Sequence, residues 1–239
     1  MLKNLSMPQL SLIIPCYNEE KNIKLLFAAV AKLQKKINLE FVIVNNGSKD
    51  KTEEEIYNNK RKIKNIKIVK IKKNVGFGHG VKKGIQKSTS KIICYTHGDL
   101  QIKLDTVAEA YRILKTEKKE NILIKGRRLN RPIFDNFFTY AMSLMNSLIF
   151  RRILLDIHAQ PNLFKKSMIK NVYNLPDNML LDLYIFLCAK INNYKIMRFN
   201  VKFLDRKYGK GSNDNLIKKI KYSLLSIFSS LRLLIHGKF

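Results

Sequence analysis

From Leu10 to Lys125 the chain alternates short apolar runs with stretches of helical periodicity, and no other feature restricts the possible folds so severely. Leu10–Ile14, Phe41–Val44, Ile66–Ile71, Ile92–Thr96 and Ile122–Lys125 are each short, rich in β-formers and closed by turn residues or charge, which predicts strands. Between them, Glu20–Lys36 spaces Ile23, Leu26, Phe27, Val30 and Leu33 as one face of a helix, and Val107–Lys115 repeats the pattern more briefly. Strands alternating with helices predict βαβ units, a largely parallel sheet and an α/β fold. Ligands of such sheets bind beyond the carboxyl ends of the strands. Chemistry is therefore expected in the loops after Ile14, Val44, Ile71 and Thr96.

The second half is helical and oilier. Over Pro132–Phe150 the polar residues Asp135, Asn136, Thr139, Ser143, Asn146 and Ser147 form one stripe of a helix whose remaining surface is aromatic and aliphatic. A helix over Asn178–Ile191, a strand over Ile196–Phe203 and a glycine-rich basic loop, Asp205–Asn213, follow. The tail from Asn215 sets Leu216, Ile217, Ile220, Leu224, Ile227, Phe228, Leu231, Leu234 and Ile235 on one face, with Lys218, Lys219, Lys221 and Arg232 elsewhere. The longest uncharged stretch, Asn136–Phe150, is shorter than the ~20 apolar residues a membrane span needs. The apolar run Leu10–Ile14 is closed by Pro15, which argues against a signal peptide. One domain is expected through residue 213, including the helix at 132–150, with a basic amphipathic helix at 214–239.

Lys and Arg number 46 against 18 Asp and Glu, a formal charge of +28, and so strong an imbalance points to an anionic partner. Nucleic acid, anionic lipid and phosphorylated substrates all answer to that charge. The chain lacks a helix-turn-helix, zinc-finger or RNP-type signature, so no specific nucleic acid is expected. Its three cysteines, Cys16, Cys94 and Cys188, are far apart, which argues against a zinc site or disulfide framework and makes a reducing compartment the default.

The strand-end loops carry the polar residues that stand out. They read Pro15-Cys16-Tyr17-Asn18-Glu19, then Asn45-Asn46-Gly47-Ser48-Lys49-Asp50, then Asn74-Val75-Gly76-Phe77-Gly78-His79-Gly80, and His97-Gly98-Asp99-Leu100-Gln101. With Gly126-Arg127-Arg128 and DRKYGKGS in the same order, the chain resembles the family 2 glycosyltransferases, nucleotide-sugar enzymes of the GT-A fold, and within them the polyprenyl-phosphate sugar transferases. The resemblance covers roughly residues 9–213. It implies a Rossmann-like nucleotide-sugar-binding sheet flanked by helices, with amphipathic interfacial helices in the C-terminal half. It further implies transfer of a sugar from a nucleotide-sugar donor to a polyprenyl phosphate, with inversion at the sugar, by a cytoplasmic protein peripheral to the inner face of an anionic membrane. A glycan or other hydroxyl acceptor, and a decayed site serving as a scaffold, stay open.

By the same resemblance, Pro15, Tyr17 and Glu19 line the nucleoside pocket, Val44 and Asn46 lie against the base, and Gly98 and Lys210 belong to the donor site. Arg128 and Arg206 meet phosphate groups of donor or acceptor, a role that suits bidentate guanidinium, with Arg131 a further candidate. A divalent cation bridging the diphosphate stabilises the leaving group's charge, and Mg2+ or Mn2+ favours the oxygen donors that Asp99 and Gln101 supply on alternate residues. The family's usual Asp two residues before Asp99 is His97 here, which implies manganese in place of magnesium, a cation held through two ligands only, or lost activity. Asn45-Asn46 replaces the usual Asp pair and opens the question of base preference. Asp182 lies near where many members place an acid; His79 reads as structural, and His158 follows Asp156 in a segment whose role the sequence does not disclose.

Overall fold

The computed structural model describes residues 7–129, 133–208 and 216–236. Seven strands form one sheet in the order β3-β2-β1-β4-β6-β5-β7. They are β1 (Leu10–Cys16), β2 (Leu39–Asn46), β3 (Ile66–Ile71), β4 (Ile92–Tyr95), β5 (Ile122–Leu129), β6 (Asn162–Lys165) and β7 (Lys195–Lys202). The helices are α1 (Glu20–Gln34), α2 (Thr52–Asn59), α3 (Phe77–Lys87), α4 (Asp105–Thr116), α5 (Ile133–Phe150), α6 (Leu180–Ile191) and α7 (Leu216–His236). Every strand expected from the sequence is present. β6 was not legible, because NLFK is too short to show a period, and it is the strand that runs antiparallel to both its neighbours, β4 and β5.

Alternation along the strands divides the core into two layers. Leu10, Leu12, Ile14 and Cys16 of β1 face α1, α2 and α4, joining Ile23, Leu26, Phe27, Val30 and Val107. Ile13 of the same strand joins Val42, Val44, Val81, Ile85 and the α6 residues Leu181 and Ile185 on the other side. The glycine-rich segment expected as a loop begins α3 at Phe77, and its glycines serve close packing. A Cβ at Gly80 would fall 2.7 Å from Pro15 Cβ, and one at Gly84 would overlap Ile13.

At the amino ends of the strands, away from the loops singled out above, Glu40 is 1% exposed. It accepts from Ser11 Oγ at 2.6 Å, Thr89 N at 3.0 Å and Thr89 Oγ1 at 2.8 Å, with Lys67 Nζ 2.6 Å away. Burial opposes its charge, but the contacts from Lys67, Ser11 and Thr89 outweigh that and hold the carboxyl below its ordinary value. The linkage follows. Stability from this group is present above the unfolded value of about 4.3 and is lost as pH falls through the lower folded value. Glu40→Gln should cost about 2 kcal/mol at pH 7, since an amide nitrogen would face donors. Denaturation midpoints of the variant should change less between about pH 5 and 3 than those of the parent.

Helices α5 and α7 carry their polarity reversed. On α5, Ser143 and Asn146 are buried while Tyr140, Leu144 and Leu148 are exposed. The inward stripe satisfies the backbone of the segment that leads back into the sheet, since Ser143 Oγ accepts from Asp156 N at 3.1 Å and Ser147 Oγ from Leu154 N at 2.9 Å. α7 packs against α5 and α6, burying Ser230 and leaving Leu224, Phe228, Leu231 and Ile235 exposed. Among the described residues no helix is long and apolar enough to cross a membrane.

Candidate functional site

β1 has β2 on one side and β4 on the other, and the chain passes through both β1 and β4 in the same direction. The connections leaving them diverge and open a crevice at the carboxyl ends of the strands. Hydrogen bonds tie its loops together. Asp50 accepts from Glu20 N at 3.2 Å through one oxygen and caps Thr52 N at 3.0 Å with the other. Glu19 N donates to Thr52 Oγ1 at 2.8 Å, and Asn18 exchanges bonds with Ser48 and Lys49. Asn18 holds a φ of 55°, a left-handed turn that asparagine tolerates better than most residues.

On the other side of the crevice, Asp99 is 6% exposed and Leu100 beside it has a φ of 58°. That turn brings Asp99 and Gln101 to one point. Arg206 Nη2 lies 2.8 Å from Asp99 Oδ2, and its Nε donates to Gln101 Oε1 at 3.1 Å. The segment carrying Arg206 is held by two further bonds, Leu204 N to the Gln101 carbonyl at 2.8 Å and Gln101 Nε2 to the Leu204 carbonyl at 3.1 Å. Two hard oxygens aimed at one cationic group are a donor pair suited to a divalent cation. Among the described residues no cluster of three or more His, Cys, Asp or Glu side chains could hold a metal. Gly98 lies against β1, where a Cβ would come within 2.8 Å of Cys16 Sγ. His97 is half-buried and leans on the Phe77 ring, with centroids 4.8 Å apart. Burial pushes its imidazole down, against the pull of Asp99 and Asp182.

The remaining residues expected from the sequence are placed unevenly. Tyr17 is exposed at the mouth. Glu19 lines a small cleft with Asn18, Asp50 and Tyr208. Burial raises its carboxyl above the ordinary range, partly offset by a 2.5 Å bond from Asn22. Pro15 backs onto Gly80, and Val44 is fully buried in the core. Asn46 spends its amide N–H on the Gly76 carbonyl at 3.0 Å, and its Oδ1 finds no partner among the described residues. The amide is thereby oriented with an acceptor to spare. Asn45 instead accepts from Ser48 N at 3.0 Å within its own turn and donates to Glu53 of α2 at 3.3 Å. Arg128 is gripped by Asp156, whose Oδ1 accepts from Nε at 3.0 Å and also from Nη2, and it is only 10% exposed. His79 bonds Asp177 at 2.9 Å and fixes α3 to the loop before α6, a structural role. Lys210 and Arg131 lie outside the described residues.

Sequence reasoning missed a buried polar cluster behind this site. Lys125, fully buried in β5, donates to the carbonyls of Ile157 and Ala159 at 2.9 and 3.0 Å and to Asn162 Oδ1 at 2.6 Å. Burial pushes its ammonium down to about 7, while Asp182 pulls the other way. A lysine inside an otherwise apolar strand, ILIK, was the available signal.

Relatives bear on the whole arrangement. The chain is 32% identical over 125 residues to a dolichyl-phosphate beta-glucosyltransferase of Trichomonas vaginalis, covering 48% of this chain and 37% of that protein. It is 26% identical over 141 residues to the dolichol-phosphate mannosyltransferase of Pyrococcus furiosus, covering 59% and 39% respectively. The matched stretches thus span well under two thirds of those relatives. Its fold is similar to that of the crystal structure of glucosyl-3-phosphoglycerate synthase from Mycobacterium tuberculosis in complex with Mn2+, UDP and glucosyl-3-phosphoglycerate. There the TM-score is 0.70 at 13% identity, with 95% of this chain and 80% of that one covered. The sheet is that of the GT-A fold, and the glycosyl transferase family 2 model matches residues 11–172, which include the strand-end loops, Asp99, Gln101, Arg128 and Asp156 but not Arg206. By its fold and by this match, the chain belongs to glycosyl transferase family 2.

Proposed function

We propose that the protein transfers a sugar from a nucleotide-sugar donor to a polyprenyl phosphate at an anionic membrane surface. The observation that carries the lipid part is the reversed polarity of α5 and α7, which turn serines inward and leucines, a tyrosine and a phenylalanine outward. Exposed Arg151, Arg152 and Arg232 lie on or beside the same two helices. An apolar face beside cations is the chemistry of a segment lying in the headgroup boundary. The dolichyl-phosphate transferases among its relatives support the same acceptor class.

In the donor crevice, Asp99 and Gln101 would hold Mg2+ or Mn2+, which when bound neutralises the charge that develops on the departing diphosphate. Arg206, paired with Asp99 at the same point, would meet a phosphate oxygen once the donor enters. Asn46 has its N–H committed to Gly76 and its unpaired Oδ1 enclosed, so a base presenting a ring N–H would meet this acceptor only once the side chain turns toward the crevice. A labelled-donor screen with and without polyprenyl phosphate and each metal tests the activity, and label appearing only in the lipid fraction is the expected result.

Membrane affinity is checked separately. Each Lys or Arg near an anionic surface contributes on the order of 1 kcal/mol. Sedimentation with anionic vesicles should therefore fall steeply as salt rises, and Leu144→Ser/Leu148→Ser/Phe228→Ser should weaken it at every salt concentration while sparing donor binding. Binding to neutral and anionic vesicles alike, unmoved by these changes, would refute a membrane role for this face.

A further inference from the structure

Asp182, in the first turn of α6, is 0% exposed, and both of its oxygens are taken. Tyr95 Oη donates to Oδ1 at 2.7 Å and Asn162 Nδ2 to the same atom at 3.3 Å, while His158 Nδ1 lies 3.3 Å from Oδ2. A carboxylate so enclosed cannot itself meet an entering substrate. Burial opposes its charge, yet the bond from His158, the nearby Lys125 and the bond from Tyr95 hold the group below the ordinary carboxylate range. Of the three described side chains that bond it, Tyr95 and Asn162 are buried, and the imidazole of His158 is a third exposed.

His158 also stands at the proper end of the sheet. β6 runs antiparallel to β4 and β5, so the loop that precedes it, residues 151–161, lies where those two strands finish. On this loop Asp156 grips Arg128. Tyr95, which shares Asp182 with His158, stands two residues before His97 and four before Asp99. A hydrogen bond at Nδ1 sets the tautomer of a histidine and leaves Nε2 on the far side of the ring as its basic nitrogen.

We propose that His158, oriented by Asp182, is the base that takes the proton from the acceptor. The inference rests on the transferase reading above. As the acceptor oxygen bonds to the anomeric carbon, its proton passes to His158 Nε2. The bond from that carbon to the diphosphate oxygen breaks, the electron pair leaves with the nucleoside diphosphate, and the imidazolium later returns its proton to solvent. The acceptor must therefore carry an ionisable O–H. A hydroxyl always does, and a phosphate monoester, with a second pKa of about 6, does so for a fraction of the time at neutral pH. Asp182 is a positioning residue in this scheme, because it acts through the imidazole.

The test compares the full-length parent with His158→Asn, whose amide nitrogen falls near the position of Nδ1 and keeps the bond to Asp182, and with His158→Gln as a second variant. Transfer is measured to polyprenyl monophosphate and, separately, to a soluble sugar alcohol, and donor affinity is measured by titration calorimetry. A positioned base contributes 10²- to 10⁴-fold, so kcat toward the hydroxyl acceptor should fall at least about 100-fold in both variants. The loss toward the phosphate should be about tenfold, with donor affinity and far-UV dichroism unchanged. Asp182→Asn should fall in kcat alongside them, and added imidazole should restore part of the rate of His158→Gly. Transfer by His158→Asn within threefold of the parent with both acceptors overturns the proposal and leaves the transferase reading intact. A loss of donor affinity matching the loss of rate marks a structural role and overturns it too. A parent that releases sugar from no donor overturns the transferase reading, and the proposal with it.

Discussion

Asp99→Ala should lower sugar transfer by about 10³-fold or more while the protein keeps its fold. The side chain bonds Arg206 and the Gln101 amide and belongs to neither apolar layer of the core, so its removal leaves both layers intact. What disappears is the charged member of the oxygen pair that, in the reaction proposed above, would hold the cation at the diphosphate. Several kcal/mol of leaving-group stabilisation are at stake, and each 1.4 kcal/mol is tenfold in rate. Single-turnover rates at saturating donor, with Mn2+ binding followed by electron paramagnetic resonance, check the result. Retained turnover would remove the cation from the mechanism and leave the diphosphate to Arg206 and its neighbours.

Gly126→Ala should destabilise the protein by about 3 kcal/mol, an upper-range value for overpacking, because the site has no direction in which to relax. Gly126 sits inside β5, pairs with Phe199 of β7 and donates its N–H to the Pro161 carbonyl at 3.0 Å. A methyl group there would overlap the backbone of Gln160 and come within 3.1 Å of Val201 Cγ2. Neither neighbour is a flexible chain end. The strain falls on the loop that carries Asp156 and His158, so transfer should fall further than the loss of folded protein explains. Urea denaturation read alongside rates normalised to folded enzyme separates the two effects.

The parts of the fold legible in the sequence were those built from local regularities. β1, β2 and α1 announce themselves because LSLIIPC, LEFVIVNN and the spacing of Ile23, Phe27 and Val30 reflect burial directly. Asp99, Gln101 and Arg206 were legible as types suited to phosphate and cation chemistry, but their convergence was not, because 105 residues separate Gln101 from Arg206. Separation in sequence, up to 87 residues between Tyr95 and Asp182, likewise hid the Asp182 cluster, assembled from β4, β5, β6 and α6. Arg128 was legible as a cation and its pairing was not: Asp156 reaches it only through the turn that Ser143 and Ser147 hold in place. The polar stripe of α5 could be read at Thr139, Ser143, Asn146 and Ser147. Its direction could not, since periodicity locates a face without saying what covers it.

That direction has a practical consequence for directed evolution. On most soluble domains, hydropathy and burial rise together, so selecting for expression or thermal tolerance in water improves the surface without touching function. On α5 and α7 they run in opposite senses: Leu148 is 65% exposed and Phe228 69%, while Ser230 is 0%. A screen run in buffer would reward polar replacements at Leu148, Leu224 or Phe228 as gains in solubility, and on the membrane role proposed above its winners would be variants blind to the lipid phase. On that proposed role, selection for this protein belongs in a two-phase assay, where the same leucines count as fitness rather than as defects.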